Sequence, residues 1–243
     1  MEHRRRKILI TGATGTIGSA AARALALPGA SMTLCFKSRG ERAEALKGEL
    51  SGLCDVHLAR EDLSLDGACE ALVDLCCARM GGVDLLVHCA ATLEKTPLGT
   101  VTHDQWGRIL DTNLKAAFFL AQAAGMRMQA QAGGGSIVLI SDIAGQRPYG
   151  GYIPHSISKA GIDALVRGLA RALAPSVTAN AVAPYIVTRP RGMTDAEWQG
   201  VLDRTPMRRA STAEEVAAIV KAVAQSETMT GQVISIDGGR LLR

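Results

Sequence analysis

Aromatic side chains are scarce in this chain: 2 Trp, 3 Tyr and 3 Phe among 243 residues. The core must therefore come from Ala, Leu, Val and Ile, and a hydrophobic content of 47% supplies enough of them. The same scarcity removes the stacking platforms that hold single-stranded nucleic acids. The basic clusters Arg4-Arg5-Arg6-Lys7 and Arg208-Arg209 have no aromatic residue interleaved, and a net charge of +4 is mild. Solvated charge explains them, and no nucleic-acid partner is expected. No apolar run approaches the ~20 residues of a membrane span, so no membrane partner is expected either. The apolar run after Lys7 is short and gives way to glycines, which suits a first strand and not an export signal. Six cysteines (Cys35, Cys54, Cys69, Cys76, Cys77, Cys89) show no C-x-x-C spacing and fall largely in apolar runs. Buried free thiols and a cytoplasmic location are the expectation. No Cys/His/Asp/Glu group has metal-ligand spacing, so no metal is expected.

What the chain does have is alternation. Short apolar runs at residues 7–11, 32–36, 56–59, 83–87, 137–140, 177–182 and 232–236 read as buried strands. Helical patterns lie between them at 19–27, 41–50, 67–79, 102–128, 155–173 and 213–225. Continuous apolar strands alternating with helices predict an α/β fold: a Rossmann-type, doubly wound parallel sheet of about seven strands with helices on both faces. Such a sheet binds ligands beyond the carboxyl ends of its strands. Neither a linker nor a repeat interrupts the pattern, and a single domain over residues 1–243 is expected.

Thr11-Gly12-Ala13-Thr14-Gly15-Thr16-Ile17-Gly18 joins the first strand to the first helix. Glycines let the backbone turn tightly and approach a pyrophosphate, which then sits on the helix's unpaired N–H groups. A lone glycine-rich turn is a weak signal, but this one lies between a first strand and a first helix. Gly12, Thr14, Gly15, Thr16, Ile17 and Gly18 are therefore candidate cofactor contacts. The second strand ends in Phe36-Lys37-Ser38-Arg39, where no acid waits for a ribose 2′-hydroxyl. Lys37, Ser38 and Arg39 suit a 2′-phosphate by charge and hydrogen bonding, so NADP(H) is the expected cofactor.

A second constellation lies further along. Asp142 follows the apolar run Ile137-Val138-Leu139-Ile140, and His155 and Lys159 come thirteen and seventeen residues after it. Spacing of four puts His155 and Lys159 on one helix face, a turn apart. An acid, an imidazole and an amine directed into one cleft form a candidate proton-handling group. Imidazole titrates near neutrality, about 6.5 when unperturbed. Asp142 favours its charged form and Lys159 opposes it, and Asp142 can also fix the ring's tautomer.

This arrangement resembles the short-chain dehydrogenase/reductase family, whose active site is a Ser followed by Tyr-x-x-x-Lys. Asp142 stands at the Ser position and His155 at the Tyr position; Lys159 matches. The resemblance implies that residue 155 gives or takes the substrate proton, while Lys159 also binds the nicotinamide ribose. It identifies Asn113, in Asp111-Thr112-Asn113-Leu114, with the family's fourth active-site residue. Asp62-Leu63 matches the pair that holds the adenine, and Ala90 matches in His88-Cys89-Ala90-Ala91, where two bracing amides are replaced. Asn180-Ala181-Val182-Ala183-Pro184 and Asp237-Gly238-Gly239 extend the match, with Pro184 and Val187 expected against the cofactor. The glycines fall at 12, 15 and 18, as in the family's extended members. His88 reads as a core histidine.

The implied activity is NADPH-dependent reduction of a small carbonyl or C=N substrate, with the proton from His155 or from Tyr149 or Tyr152. Asp at the Ser position and the tail Asp237-Gly238-Gly239-Arg240-Leu241-Leu242-Arg243 resemble the pteridine reductases. Leu93 replaces their stacking aromatic, for which Tyr185 is a substitute. The alternatives are a 3-oxoacyl thioester reductase and a catalytically silent NADP-binding protein. Residues 189–209 are expected to form an irregular lid, where Arg189, Arg191 and Arg204 could meet an acidic substrate. Small residues on the 155–173 helix (Ala160, Gly161, Ala164, Gly168, Ala172) permit close helix approach. With the family's habit of pairing there, they point to a homodimer or homotetramer.

Overall fold

The computed structural model describes residues 7–190 and 192–242. Arg4, Arg5, Arg6, Arg191 and Arg243, all named above, lie outside the described residues. Seven strands form one sheet in the order β3-β2-β1-β4-β5-β6-β7, every neighbouring pair parallel. They are β1 (Lys7–Thr11), β2 (Ser31–Phe36), β3 (Asp55–Arg60), β4 (Leu85–His88), β5 (Gly135–Ile140), β6 (Val177–Pro184) and β7 (Val233–Ile236). Helices cover both faces, because the strands are apolar on both sides and neither face can meet water. Helices α1 (Thr16–Leu25) and α2 (Gly40–Leu50) lie with α8 (Ala213–Gln225) over one core of Ile8, Ile10, Leu34, Val87, Val138 and Val216. On the other face, α3 (Ala68–Met80) packs a core that includes Leu72, Leu86, Leu120, Ile137 and Ile162. As the composition requires, these cores are aliphatic.

Two expectations about helices need correction. The helix read as continuous over 102–128 is α4 (His103–Leu110), a π-helical turn (Asp111–Lys115) and α5 (Ala116–Ala130). A π turn takes one extra residue into a helix whose backbone runs on through it, so the stretch reads as one helical pattern in sequence. Within the expected irregular lid, α7 (Asp195–Leu202) forms, because Thr194 and Glu197 make a reciprocal capping box. The remaining helix is α6 (Ile153–Leu173). All six cysteines are free, four buried and two partly buried.

The chain winds outward from β1 in one direction and from β4 in the other. Where the order reverses, the loops after β1 and β4 diverge and leave a crevice at the strands' carboxyl ends. Gly12 stands there at φ +63°, and a Cβ on it would lie 2.7 Å from the Ala90 backbone nitrogen. The first turn is thus as much a contact between the ends of β1 and β4 as a cradle.

Candidate functional site

The crevice between the β1 and β4 loops is a cleft of about 480 Å³. Gly12, Thr14, Gly15, Lys37, Ser38, Arg39, Asp62, Leu63 and Ala90 line it, with Glu61, Glu94 and Arg108. Of the other residues expected against a cofactor, Thr16 opens α1 outside this lining. Ile17 and Val187 pack partly buried against the core. A Cβ on Gly18 would collide with the Gly12 carbonyl oxygen, so Gly18 holds α1 against its own turn. Pro184 closes β6, and Lys159 lies deeper, beneath the site.

Does the cleft suit a dinucleotide? Helices α4, α7 and α8 each begin with a Thr capping box, at Thr102, Thr194 and Thr212. Helix α1 begins at Gly15 with no side-chain cap and no acidic residue in its first turn. Its leading N–H groups therefore have no side chain to satisfy them, and the turn that feeds them, Gly12, Thr14 and Gly15, lines the cleft, which fits a phosphate. At the far end Lys37 is engaged, its Nζ 2.6 Å from an Asp62 carboxylate oxygen. Burial pushes Asp62 up, but Lys37 and Ser64 outweigh it and hold the carboxyl below its ordinary value. Arg39 stands in the left-handed region at φ +64° before α2. Its side chain has no hydrogen-bond or ion-pair partner among the described residues.

Behind the cleft lies the second constellation. Asp142 follows β5 and caps a 3-10 turn (Ile143–Gly145), its Oδ1 accepting from the Ala144 N–H at 2.7 Å. A Cβ on Gly145 would lie 2.8 Å from the Lys159 carbonyl carbon, so glycine lets this turn press against α6. That brings Asp142 Oδ2 to 3.4 Å from His155 Nε2. The His155 side chain is 5% exposed and that of Asp142 18%, so the carboxylate is the more accessible of the two. Neighbouring Ser141 does not replace the family's serine. Its hydroxyl points inward and donates to Asp163 Oδ1 at 2.6 Å.

Asn113, held in the π turn, orients the ring. Its Oδ1 accepts from the Thr92 N–H at 2.7 Å, so its amide NH₂ faces the Thr92 carbonyl (3.0 Å), Ser158 Oγ (3.2 Å) and His155 Nδ1 (3.3 Å). In the neutral ring Nδ1 is then an acceptor, and the ring proton sits on Nε2, toward Asp142. Lys159 Nζ donates to the Ile140 carbonyl at 2.8 Å. Burial pushes its amine down, opposed by Asp142, Cys89 and Asp163.

Tyr149 was the less specific of the sequence candidates, yet its hydroxyl donates to Asp142 Oδ1 at 3.4 Å. Burial, then the Asp142 charge and Tyr185, holds this phenol well above its ordinary range. It stays protonated, and shedding its proton beside a carboxylate is unfavourable. Tyr152 precedes α6, where its N–H donates to the Tyr149 carbonyl at 2.9 Å and its carbonyl accepts from Ser156, and its phenol has no hydrogen-bond partner among the described residues. Sequence reading missed the buried Asp163 and the Asn113–His155 contact. The first lies one turn beyond Lys159, a visible spacing; the second depends on the π turn.

Arg189, expected toward an acidic substrate, is tied to Asp195 at 2.5 Å and to the Met193 carbonyl. His88 is a core histidine. It is buried, its Nδ1 2.8 Å from Thr11 Oγ1, and burial, then the Lys159 charge, lowers its pKa to about 3.

The sheet order, the uncapped glycine turn at its switch point and an acid–imidazole–amine group behind it define a doubly wound α/β protein with a two-part site. Residues 12–240 match the family model described as enoyl-(acyl carrier protein) reductase. The 3-oxoacyl-(acyl-carrier-protein) reductase MabA of Mycobacterium tuberculosis is 32% identical over 239 residues, 96% of this chain and 92% of its own. Nodulation protein G of Azospirillum brasilense is 31% identical over 237 residues, 95% and 96% of the two chains. A short-chain dehydrogenase/reductase structure from Mycobacterium ulcerans superposes with a TM-score of 0.92 at 26% identity, covering 100% of this chain and 92% of that one. The chain belongs to the short-chain dehydrogenase/reductase family, oxidoreductases that use nicotinamide cofactors.

Proposed function

We propose that the protein is an NADPH-dependent reductase of a small carbonyl or C=N substrate, working through the Asp142–His155 pair. The 3.4 Å approach of these two side chains, behind the cleft and beside Lys159, carries the reading. Residues 189–209, with α7, are the proposed lid of this one domain. Bound in the cleft, the cofactor supplies the hydride. His155 Nε2 donates a hydrogen bond to the substrate's oxygen or nitrogen and passes that proton over as the carbon is reduced. The donating form is imidazolium, because a neutral ring giving up its Nε2 proton would be left an anion. Asp142 stabilises that charge, and the proton added at Nδ1 displaces the Asn113 amide donation that belongs to the neutral ring. Lys159 would hold the cofactor's sugar, as in the family, by turning its amine from the Ile140 carbonyl.

A 3-oxoacyl thioester is the second reading, favoured by the likeness to MabA and opposed by the loss of both the Ser and the Tyr. Asp142 and the aromatic pair Tyr149–Tyr185, with ring centres 6.3 Å apart, favour a flat, pterin-like ring. Dihydropterins, quinonoid compounds and 3-oxoacyl thioesters, each supplied with NADPH, test the readings together. Turnover of the first two groups supports the proposal. NADPH binding with no turnover of any compound leaves a silent binder.

NADP(H) is proposed over NAD(H) on the strength of the acid-free segment 37–39. We expect NADPH to bind at least tenfold more tightly than NADH, roughly 1.4 kcal/mol. Because Lys37 already serves Asp62, Arg39→Ala should erode the preference more than Lys37→Ala. Equal calorimetric affinities for the two cofactors would rule the assignment out.

A further inference from the structure

Arg240 is a cation without an acid. Three arginines near the carboxyl ends of the strands are engaged, Arg189 with Asp195, Arg209 with Glu215 and Arg108 with Glu94, whereas Arg39 is expected to meet the cofactor. Among the described residues, no carboxylate lies within ion-pair distance of Arg240, and its Nε is buried with no hydrogen-bond partner. An unsatisfied buried donor is uncommon in a folded protein and asks for a reason.

The backbone around it is fixed. β7 ends at Ile236, and Asp237 then holds the turn by accepting from the Gly239 N–H at 2.9 Å and the Leu241 N–H at 2.7 Å. Gly238 and Gly239 supply left-handed conformations, φ +61° and +84°. The guanidinium carbon is thereby held 5.9 Å from the centre of the Tyr185 ring, within cation–π range. Tyr185 is fixed in turn, its N–H donating to the Ile236 carbonyl at 3.1 Å. Its ring centre is 6.3 Å from that of Tyr149, whose hydroxyl reaches Asp142. A continuous path thus runs from the proton-handling pair across two aromatic rings to an unpaired guanidinium. The Arg240 charge is felt at the Tyr149 phenol, where it opposes the influence of Asp142.

We propose that Arg240 reads an anionic group on the substrate, a carboxylate or a phosphate, at the far end of the Tyr149–Tyr185 pair from the carbonyl or C=N that is reduced. A guanidinium presents donors in a planar fork that matches either oxyanion, and the orphaned Nε belongs to that fork. The inference rests on the reductase reading and names the class of substrate the same site takes.

The test compares 4-formylbenzoate, its methyl ester and 4-formylphenyl phosphate, reduced with NADPH by the intact protein. One or both anionic probes should show a kcat/KM at least tenfold above the ester's, and whichever gains more identifies the group. Arg240→Met should collapse that ratio toward one, and Arg240→Lys, which keeps the charge, should preserve part of it. A ratio near one in the unaltered protein, or one that survives Arg240→Met, overturns the proposal. If the reductase reading itself fails and no probe is reduced, calorimetry on the NADP-loaded protein decides. Benzoate or phenyl phosphate should then bind more tightly than benzamide, and the difference should vanish in Arg240→Met; equal binding overturns the proposal.

Discussion

In the neutral ring, the amide of Asn113 decides which nitrogen of His155 carries the proton and so turns Nε2–H toward Asp142. With Nδ1 occupied by an amide donor, Nε2–H is the only proton the ring directs at Asp142 and the substrate. His155→Phe keeps a flat ring in the buried position but removes both nitrogens. Turnover should fall by about 10²-fold or more, while NADPH affinity stays nearly unchanged, since the glycine turn and Lys159 remain. His155→Tyr, which restores the family's phenol, should recover activity. Unchanged turnover in His155→Phe would shift the proton to Tyr149.

A different prediction attaches to His88, which is buried with its Nε2 unpartnered. Its folded pKa, about 3, lies far below the ordinary 6.5. The unfolded chain therefore binds the proton more readily across that interval. Stability should be intact above pH 6.5 and fall as pH drops toward about 3. His88 alone should contribute up to about 1.4 kcal/mol per pH unit. Urea unfolding at several pH values should show this slope, and a neutral replacement, His88→Asn, should flatten it.

At the scale of elements, the strand–turn–helix at the front of the sheet depends on how closely its parts approach. Gly18→Ala would drive a methyl group into the Gly12 carbonyl oxygen and push α1 off its turn. The cost should be about 1–3 kcal/mol, read as a lower urea midpoint at an unchanged slope, together with weaker NADPH binding. Gly48→Ala in α2 is the control. Nothing lies within 4 Å of the added methyl, and helix propensity alone should stabilise the protein by about 0.5–1 kcal/mol. The glycine turn was legible in the sequence because spacing and chemistry coincide there, and so was the Asp142–His155–Lys159 group. The strands were legible because a parallel sheet buried on both faces leaves unbroken apolar runs. The π turn was not, since no residue type marks the one extra residue it takes into the helix. Helix α7 was written in Thr194-x-x-Glu197, a capping signal that the expectation of an irregular lid left unread. The Lys37–Asp62 pair joins the end of β2 to the end of β3, and the Arg240–Tyr185 contact joins the tail to the end of β6. Contacts between elements this far apart in sequence appear only once the sheet order is known.

For the whole molecule, the exposed surface of α5 and α6 raises the question of assembly. Phe118 and Met126 stand exposed on α5 at helical spacing, 42% and 59% accessible, and Ile157 opens a similar stripe on α6 at 43%. The stripe continues through exposed Ala160, Ala164, Gly168 and Ala172. Gly161 departs from the sequence expectation. A Cβ there would press on the Leu114 side chain, so its smallness serves packing inside the chain. The remaining small residues leave a flat helix face beside large apolar side chains, a surface that a second copy can cover by two-fold pairing. We expect a dimer or tetramer at micromolar concentration. Ala164→Glu places a charge in the middle of the α6 stripe, where no neighbour in the chain is displaced because the position is exposed. It should therefore shift sedimentation toward the monomer without lowering the thermal midpoint of the separated chain's fold. If the unaltered protein sediments as a monomer, or if Ala164→Glu leaves its mass unchanged, pairing through this face is wrong. The exposed aromatics of α5 would then need another explanation.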